Sequence, residues 1–428
     1  MLDIKFVKSN LEVVKKNLKL RNQVEKISWV DEITKNYDNS SQIKKELDTL
    51  RHKRNIISEE INLLKKQGKN ISEKIKEIQE LPHKIKELEE NYERLTHDVK
   101  DKLMELPNIL DKTVPVGKDD NDNKIIKKAS KIPKFKFPVK DHTDLALNLN
   151  LLDLEKASKV SGARFYYLKN ELVKLNHALI NFALDFLRKK NFTLIQPPYM
   201  LKKDAISGAI TFATFEDAIY KIENEDLFLI GTAEHALNAF YLNDTLDEKE
   251  LPVRLAGFSP CFRREAGAHG KDTKGIFRVH QFEKIEQFIF CTKKQAEKEF
   301  NLILKNLETL FKLLKIPYRL VLLCSGSTGN VASKTIDLEA WFPAQKTFRE
   351  LASCSNCLDY QARRSNTKYK TKSSETEFVY TLNNTAIATE RTLACILENF
   401  QQKDGSIKIP KILHKYTGFK EIKAIKKK

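Results

Sequence analysis

Long apolar runs are missing from this chain of 428 residues. No stretch approaches the roughly 18 residues that a membrane-spanning helix requires. The opening, MLDIKFVKSN, mixes acids and bases where a secretory leader would carry an apolar centre, so no signal peptide is expected. Cysteine is scarce too. Six, scattered over the whole length, do not make a disulfide framework. Cys354 and Cys357 lie close together, but no second cysteine pair and no histidine at ligand spacing joins them, so no structural zinc is expected. Gly326–Gly329 lacks the Gly-Lys-Ser/Thr that would follow in a phosphate-binding P-loop. These absences leave the expectation of a soluble, intracellular, reduced protein of two or three domains with an ample core.

Charge, by contrast, is plentiful. The net charge is +18, which favours a polyanionic partner without identifying it. The excess is uneven: residues 42–106 carry only about +1, residues 107–140 about +5 and residues 403–428 about +7. The near-neutral segment is periodic. Ile43, Leu47, Leu50, Ile57, Ile61 and Leu64 alternate in steps of four and three, with Arg54 on the seam. The run Lys66-Gln67-Gly68-Lys69-Asn70 reads as a turn, after which Ile71, Ile75, Ile78, Leu81, Ile85, Leu88, Tyr92, Leu95 and Val99 resume the pattern. This spacing predicts an antiparallel coiled-coil hairpin, a spacer or a probe for something large, with helices of roughly 25–35 residues and an arm of roughly 40–50 Å. A kink is expected where two steps of three meet near Pro82. Pro107, Pro115, Pro133 and Pro138, with the polar run Lys118–Lys124, mark 107–141 as a linker. The expected domains are thus 1–106, the linker, and a globular body over 142–428.

Within that body the stretch from Phe258 to Phe288 has the pattern of a long antiparallel hairpin. Side chains two apart on a strand share a face, so Arg278, His280, Phe282, Lys284 and Glu286 are expected together, as are Cys261, Arg263 and Glu265. Such a face is costly to bury unless a charged ligand meets it. It suits a nucleotide: guanidinium forks for phosphate, a ring for the base, carboxylates for amino groups. A surface hairpin with solvated charges is the plainer alternative.

The words Phe262-Arg263-Arg264-Glu265 and Phe277-Arg278-Val279-His280-Gln281-Phe282 resemble motif 2 of the class II aminoacyl-tRNA synthetases, and of seryl-tRNA synthetases in particular. Gly162–Phe165, a helix-like stretch over 168–190 and Phe192–Pro198 resemble motif 1, a dimer-building unit. Gly231-Thr232-Ala233-Glu234 is similar to the family's amino-acid motif, although Thr and Glu at a helix start also serve as plain caps. Ile336–Pro343 and Thr347–Ser353 resemble its ATP segment, and Thr381–Arg391 resembles motif 3, with Ala386 and Ala388 where many relatives have glycine. Residues 1–22 resemble the family's opening. The loop Gly267–Asp272 and Asn383–Ala386 look closer to archaeal and eukaryotic members.

The resemblance implies an α+β protein, with an antiparallel class II sheet flanked by helices and preceded by the coiled-coil arm. It implies a serine–tRNA ligase that activates L-serine with ATP and passes the seryl group to tRNA(Ser), with tRNA(Sec) as a further candidate. In that reading Thr232, Ala233, Glu234, Glu286 and Thr385 bind serine. Arg263, Arg264, Glu265, Arg278, Val279, Phe282, Glu350, Leu351, Ala352, Ser353 and Arg391 bind ATP, with Arg263 and Arg391 catalytic. Glu350 and Ser353 would hold Mg²⁺; residues three apart face opposite ways on a regular strand, so a bulge or bend is required there. Fewer than about 40 residues follow Arg391, short of a domain of about 100, so tRNA recognition is expected from the arm. A cytoplasmic homodimer is implied, in which one subunit's arm serves the other's body. The alternatives are a synthetase-like RNA-binding or carrier-protein-charging relative, and a purely structural coiled coil.

Overall fold

The computed structural model describes residues 1–211, 216–265 and 275–425. The loop Gly267–Asp272 and the terminal lysines therefore lie outside the described residues. Two compact units emerge, Met1–Pro107 and Asn108–Lys428.

The first unit is helical. Two short helices, α1 (Ile4–Ser9) and α2 (Leu11–Leu20), precede α3 (Ile27–Lys66), a single helix of 40 residues. At about 1.5 Å per residue α3 runs for about 60 Å, longer than the heptad count suggested. It begins at Ile27 because Val30 and Ile33 are already buried at its base, alongside Val7, Val14 and Leu18 of the same unit. Gly68 ends it, at φ +66°, and the Lys69 amide closes back on the Leu64 carbonyl at 3.0 Å. The return leg is broken, as the two steps of three foretold: α4 (Ser72–Gln79) and α5 (Leu81–Glu105) part at Glu80, with Pro82 in the first turn of α5, where its missing N–H costs nothing. Leu47, Ile57, Leu81 and Ile85 form the buried seam, with Tyr92 and Leu88 beside it; Arg54 is exposed. Ion pairs flank the seam, among them Arg51–Glu89 at 2.7 Å and Lys84–Glu46 at 3.0 Å.

The second unit is built on an eight-stranded sheet. In chain order its strands are β1 (Lys124–Ala129), β2 (Thr193–Ile195), β3 (Val253–Phe262), β4 (Gln281–Cys291), β5 (Tyr318–Leu322), β6 (Lys334–Phe342), β7 (Thr347–Asn356) and β8 (Tyr380–Ala388). They lie in the order β1-β5-β6-β7-β8-β4-β3-β2, antiparallel except for the β2–β3 pair. Within the stretch 107–141, expected as a linker, Lys124–Ala129 pairs with Tyr318–Leu322 and so forms one edge of this sheet. Its β-branched Ile125 and Ile126 are the signal that a proline count passes over.

Helices α6 (Glu171–Arg188), α8 (Ala296–Leu314) and α9 (Thr389–Asn399) pack on the sheet, with α7 (Ala233–Asn238) against β3 and β4. Ile303, Leu307, Leu310, Phe311 and Leu314 of α8 recur at helical spacing and are almost wholly buried. A buried amide chain fixes the register of the central strands. Asn306 donates to Gln287 (2.9 Å), Gln287 to Asn384 (2.6 Å), and Asn384 to the Ser353 carbonyl (3.0 Å). Left unpaired, each of these groups would cost about 1–3 kcal/mol, so a slipped register is strongly disfavoured.

Candidate active site

The hairpin β3–β4 pairs Cys261 with Phe282, Ser259 with Lys284 and Gly257 with Glu286. Partners directly opposite point to the same face, which puts Phe282, Lys284 and Glu286 in a row. Gly257 is required by close approach. A Cβ there would lie 2.8 Å from Leu237 and 3.0 Å from Ala233, so the glycine lets α7 sit against the strand. The regular pairing stops at Gln281, and this corrects one expectation: His280 does not continue the polar face. Its ring instead stacks on Phe165 (centroids 5.1 Å apart), and its Nδ1 lies 2.8 Å from the Tyr220 hydroxyl.

A cavity of about 660 Å³ opens over β4, β8, β7 and β6. Arg263, Arg278 and Arg391 all line it, as do Glu234 and Glu286. So do Glu265, Phe282, Glu350, Leu351, Ser353 and Thr385. Arg263 lies over the Phe282 ring at 5.5 Å, and its Nε donates to the Gly231 carbonyl at 3.0 Å. Arg278 pairs with Glu265 at 2.6 Å. Arg391, in the first turn of α9, reaches Glu350 at 3.3 Å and lies 5.1 Å from the Phe277 ring.

Not every candidate borders the cavity. Arg264 turns aside, 5.5 Å from the Tyr220 ring. Val279, Ala233 and Ala352 are buried in hydrophobic clusters. Thr232 stands one layer behind: it caps α7, accepting from the Glu234 amide at 3.3 Å, while its hydroxyl donates to Glu286 at 3.1 Å. The cap and the pocket readings of this residue therefore coexist.

Two bulges shape the floor. Between β6 and β7 the register jumps from Leu338–Ala352 to Glu339–Glu350, so Leu351 has no partner of its own. This brings Glu350 and Ser353 to one face, where Ser353 Oγ donates to Glu350 at 3.3 Å. Between β8 and β4 a second jump leaves Ala386 unpaired across from Glu286 and Ile285. Neither Ala386 nor Ala388 takes a positive φ, so neither position requires glycine.

The electrostatics are sharply divided. Burial, with Glu286 nearby, pushes the Glu234 carboxyl up to about 7, while its Oε1 accepts from Gln361 at 2.8 Å and Asn383 at 3.0 Å. Burial opposes charge on Glu350 as well, but Arg391 beside it holds that carboxyl below its ordinary value. Asp337 is pushed well up by burial and by Glu350, and its Oδ1 is buried with no hydrogen-bond partner among the described residues. Glu390, next to Arg391, is raised by burial to about 7. Lys284, Asp337, Glu390 and Asn383 all border the cavity, and motif reading alone did not single them out. The alternation of β4 already set Lys284 on the right face; for the other three nothing local distinguishes a lining residue from a buried one.

Glu350, Ser353 and Asp337 offer hard oxygen donors of the kind Mg²⁺ takes together with phosphate oxygens. Among the described residues no three His, Cys, Asp or Glu side chains gather as a self-contained metal site. Mg²⁺ does not require one, since one or two carboxylates and substrate phosphates suffice.

Such a site, guanidinium groups and carboxylates above an antiparallel sheet entered by the arginine-bearing helix α9, defines a class II synthetase core. Residues 215–400 match the model of the tRNA synthetase class II core domain (G, H, P, S and T), and residues 1–110 match the seryl-tRNA synthetase N-terminal domain. The serine–tRNA ligase of Pyrococcus furiosus is 47% identical, covering 100% of this chain and 99% of that protein. That of Nitrosopumilus maritimus is 52% identical over 73% of this chain and 75% of its own length. The chain belongs to the seryl-tRNA synthetase family. Its structure is similar to the crystal structure of the Pyrococcus horikoshii enzyme complexed with ATP, with a TM-score of 0.93 and 46% identity over 100% of both chains. It is also similar to the cytoplasmic enzyme of Naegleria fowleri in complex with AMP, with a TM-score of 0.87 and 34% identity over 99% of both.

Proposed function

We propose that this chain charges tRNA(Ser) with L-serine in two steps. The serine carboxylate attacks the α-phosphate of ATP, pyrophosphate leaves, and seryl-adenylate remains. The 3′-terminal ribose hydroxyl of the tRNA then attacks the acyl carbon and AMP leaves. One observation carries the reading: Arg263 and Arg278 of one hairpin and Arg391, more than 100 residues further along the chain, share a single cavity with Glu234 and Glu286.

No covalent nucleophile is needed. Positioning and neutralisation of phosphoryl charge account for most of the rate in such transfers. Arg263, held by the Gly231 carbonyl, bridges the serine carboxylate and the α-phosphate. Arg278 and Arg391 hold the outer phosphates. Glu265 and Phe282 place adenine, with the Val279 backbone alongside. Glu234 takes the ammonium of serine, and Glu286 with Thr385 takes its hydroxyl. A pocket built to bond a hydroxyl rejects alanine because the analogue leaves a buried acceptor unpaired. Glu350 and Ser353 would hold Mg²⁺, which would supply neutralisation of phosphate charge.

The arm reads the extra stem of the tRNA by shape, consistent with its near-zero net charge and with how few base edges A-form RNA exposes; tRNA(Sec) is a further substrate by the same logic. A homodimer forms through β2, which among the described residues is an edge of the sheet and whose Leu194 is exposed. The enzyme works in the cytoplasm; no described helix is long and apolar enough to cross a membrane. Incubation with ATP, L-serine and labelled tRNA tests the proposed activity. Serine-specific, acid-stable charging of tRNA(Ser) is expected, and charging by another amino acid, or none, contradicts it.

A further inference from the structure

Glu286 is crowded. Its Oε1 accepts from Thr232 at 3.1 Å and from Thr385 at 3.1 Å, and Lys284 forms an ion pair with the same oxygen. The Lys284 side chain is only 10% exposed, yet it borders the cavity, one strand repeat from Phe282 on one side and from Glu286 on the other. A lysine this buried is rare unless its charge has a task or a partner.

Counting charges gives it a task. The amino-acid end of the cavity holds two carboxylates, Glu234 and Glu286, and two cations, Arg263 and Lys284, while the further carboxyl there, Glu390, lies 3.9 Å from Arg391 and is counted with that arginine. A free amino acid is a zwitterion, and it adds no net charge to a balanced set. Without Lys284 the set would carry an excess negative charge, and the incoming carboxylate and α-phosphate would be repelled. In its ion pair Glu286 can only accept, so only a donor such as a hydroxyl satisfies the oxygen facing the substrate.

We infer that Lys284 is the specificity and positioning residue of the serine pocket, fixing Glu286 as an acceptor and balancing the site for a zwitterionic hydroxy amino acid. The inference deepens the function proposed above and rests on it. Lys284 pairs with Glu286 on β4, and its charge acts, together with that of Arg263, on Glu234 and His235 of α7, Cys261 of β3 and Glu390 of α9. Of these, Glu234 is raised by burial and by Glu286, and Lys284 and Arg263 counter that rise. Loss of the lysine therefore moves Glu234 further up.

The test compares Lys284→Met and Lys284→Arg in serine-dependent ATP–pyrophosphate exchange over a range of pH, with thermal melting as a check on folding. The Met variant is expected to raise the KM for serine roughly 10- to 100-fold, the effect of removing a partner from a buried charge pair. The KM for ATP should stay within about twofold, selectivity for serine over alanine should fall about tenfold, and the acidic limb of kcat/KM should move up by about one pH unit. Lys284→Arg should restore the limb. Should the Met variant not fold, Lys284→Gln carries the same expectations. Normal exchange with an unmoved serine KM and acidic limb in both neutral variants overturns the inference alone. Absence of serine-dependent exchange in the unaltered chain overturns the functional reading and the inference with it.

Discussion

Replacing Glu234 by Gln should make the protein more stable and inactive at once. The carboxyl is pushed from an ordinary value of 4.5 to about 7 by burial and by Glu286. Below the lower value both folded and unfolded chains hold the proton. Between the two, the folded chain keeps a proton that the unfolded chain releases, so stability falls as pH rises through that window. Roughly 2.5 units at 1.36 kcal/mol each amount to as much as about 3 kcal/mol lost by pH 8. Glutamine is neutral throughout. Its carbonyl can still accept from Gln361 and Asn383, as Glu234 Oε1 does at 2.8 and 3.0 Å, with its amide turned to the cavity. Denaturant unfolding at pH 8 should therefore show Glu234→Gln up to about 3 kcal/mol more stable than the parent, with the gap closing towards pH 4. Glu390 is raised in the same direction but is common to both proteins, so it cancels from the difference. Exchange should be abolished, because the ammonium of serine loses its counter-charge. A variant no more stable than the parent at pH 8 refutes the claim that this carboxylate is held desolvated for a cation.

Other expectations follow from the same geometry. Arg263→Ala should abolish serine-dependent pyrophosphate exchange while leaving the melting temperature near that of the parent; near-normal exchange contradicts the assignment. Gly257→Ala, forcing a Cβ to within 2.8 Å of Leu237, should destabilise by about 1–3 kcal/mol and raise the KM for serine, read by melting and exchange. Excising most of α3 through α5, with a short turn in their place, should spare pyrophosphate exchange but lower kcat/KM for tRNA charging by at least roughly 100-fold, or about 2.7 kcal/mol. Equal charging by the armless protein would show that the arm is a spacer.

Where a function depends on pattern, the chain reads plainly. The heptads of the hairpin, the stop at Gly68 and the break before Pro82 are local facts of spacing and backbone sterics, and they stand where expected. The bulge at Leu351 was demanded by Glu350 and Ser353 having to face one way, and the strand supplies it. What stayed hidden depends on tertiary surroundings. Lys284 and His280 belong to the same alternating run, yet one lines the cavity and the other stacks on Phe165, because strand pairing ends between them. Arg264 sits beside Arg263 in sequence and points elsewhere. Lys124–Ala129 becomes a sheet edge only because β5 is present to pair with it. The cost of burying Asp337 and Glu390 cannot be seen without the neighbours that exclude water from them.

The central claim is that three guanidinium groups converge on one triphosphate beside a carboxylate that takes a small amine. A crystal structure with a non-hydrolysable seryl-adenylate analogue tests it most directly. The account predicts the ammonium on Glu234, the hydroxyl on Glu286 and the phosphate mimic on Arg263, with ATP in the same crystals bringing Arg278 and Arg391 to its outer phosphates. An analogue bound anywhere else, or with Glu234 and Arg263 both free of it, would contradict the account.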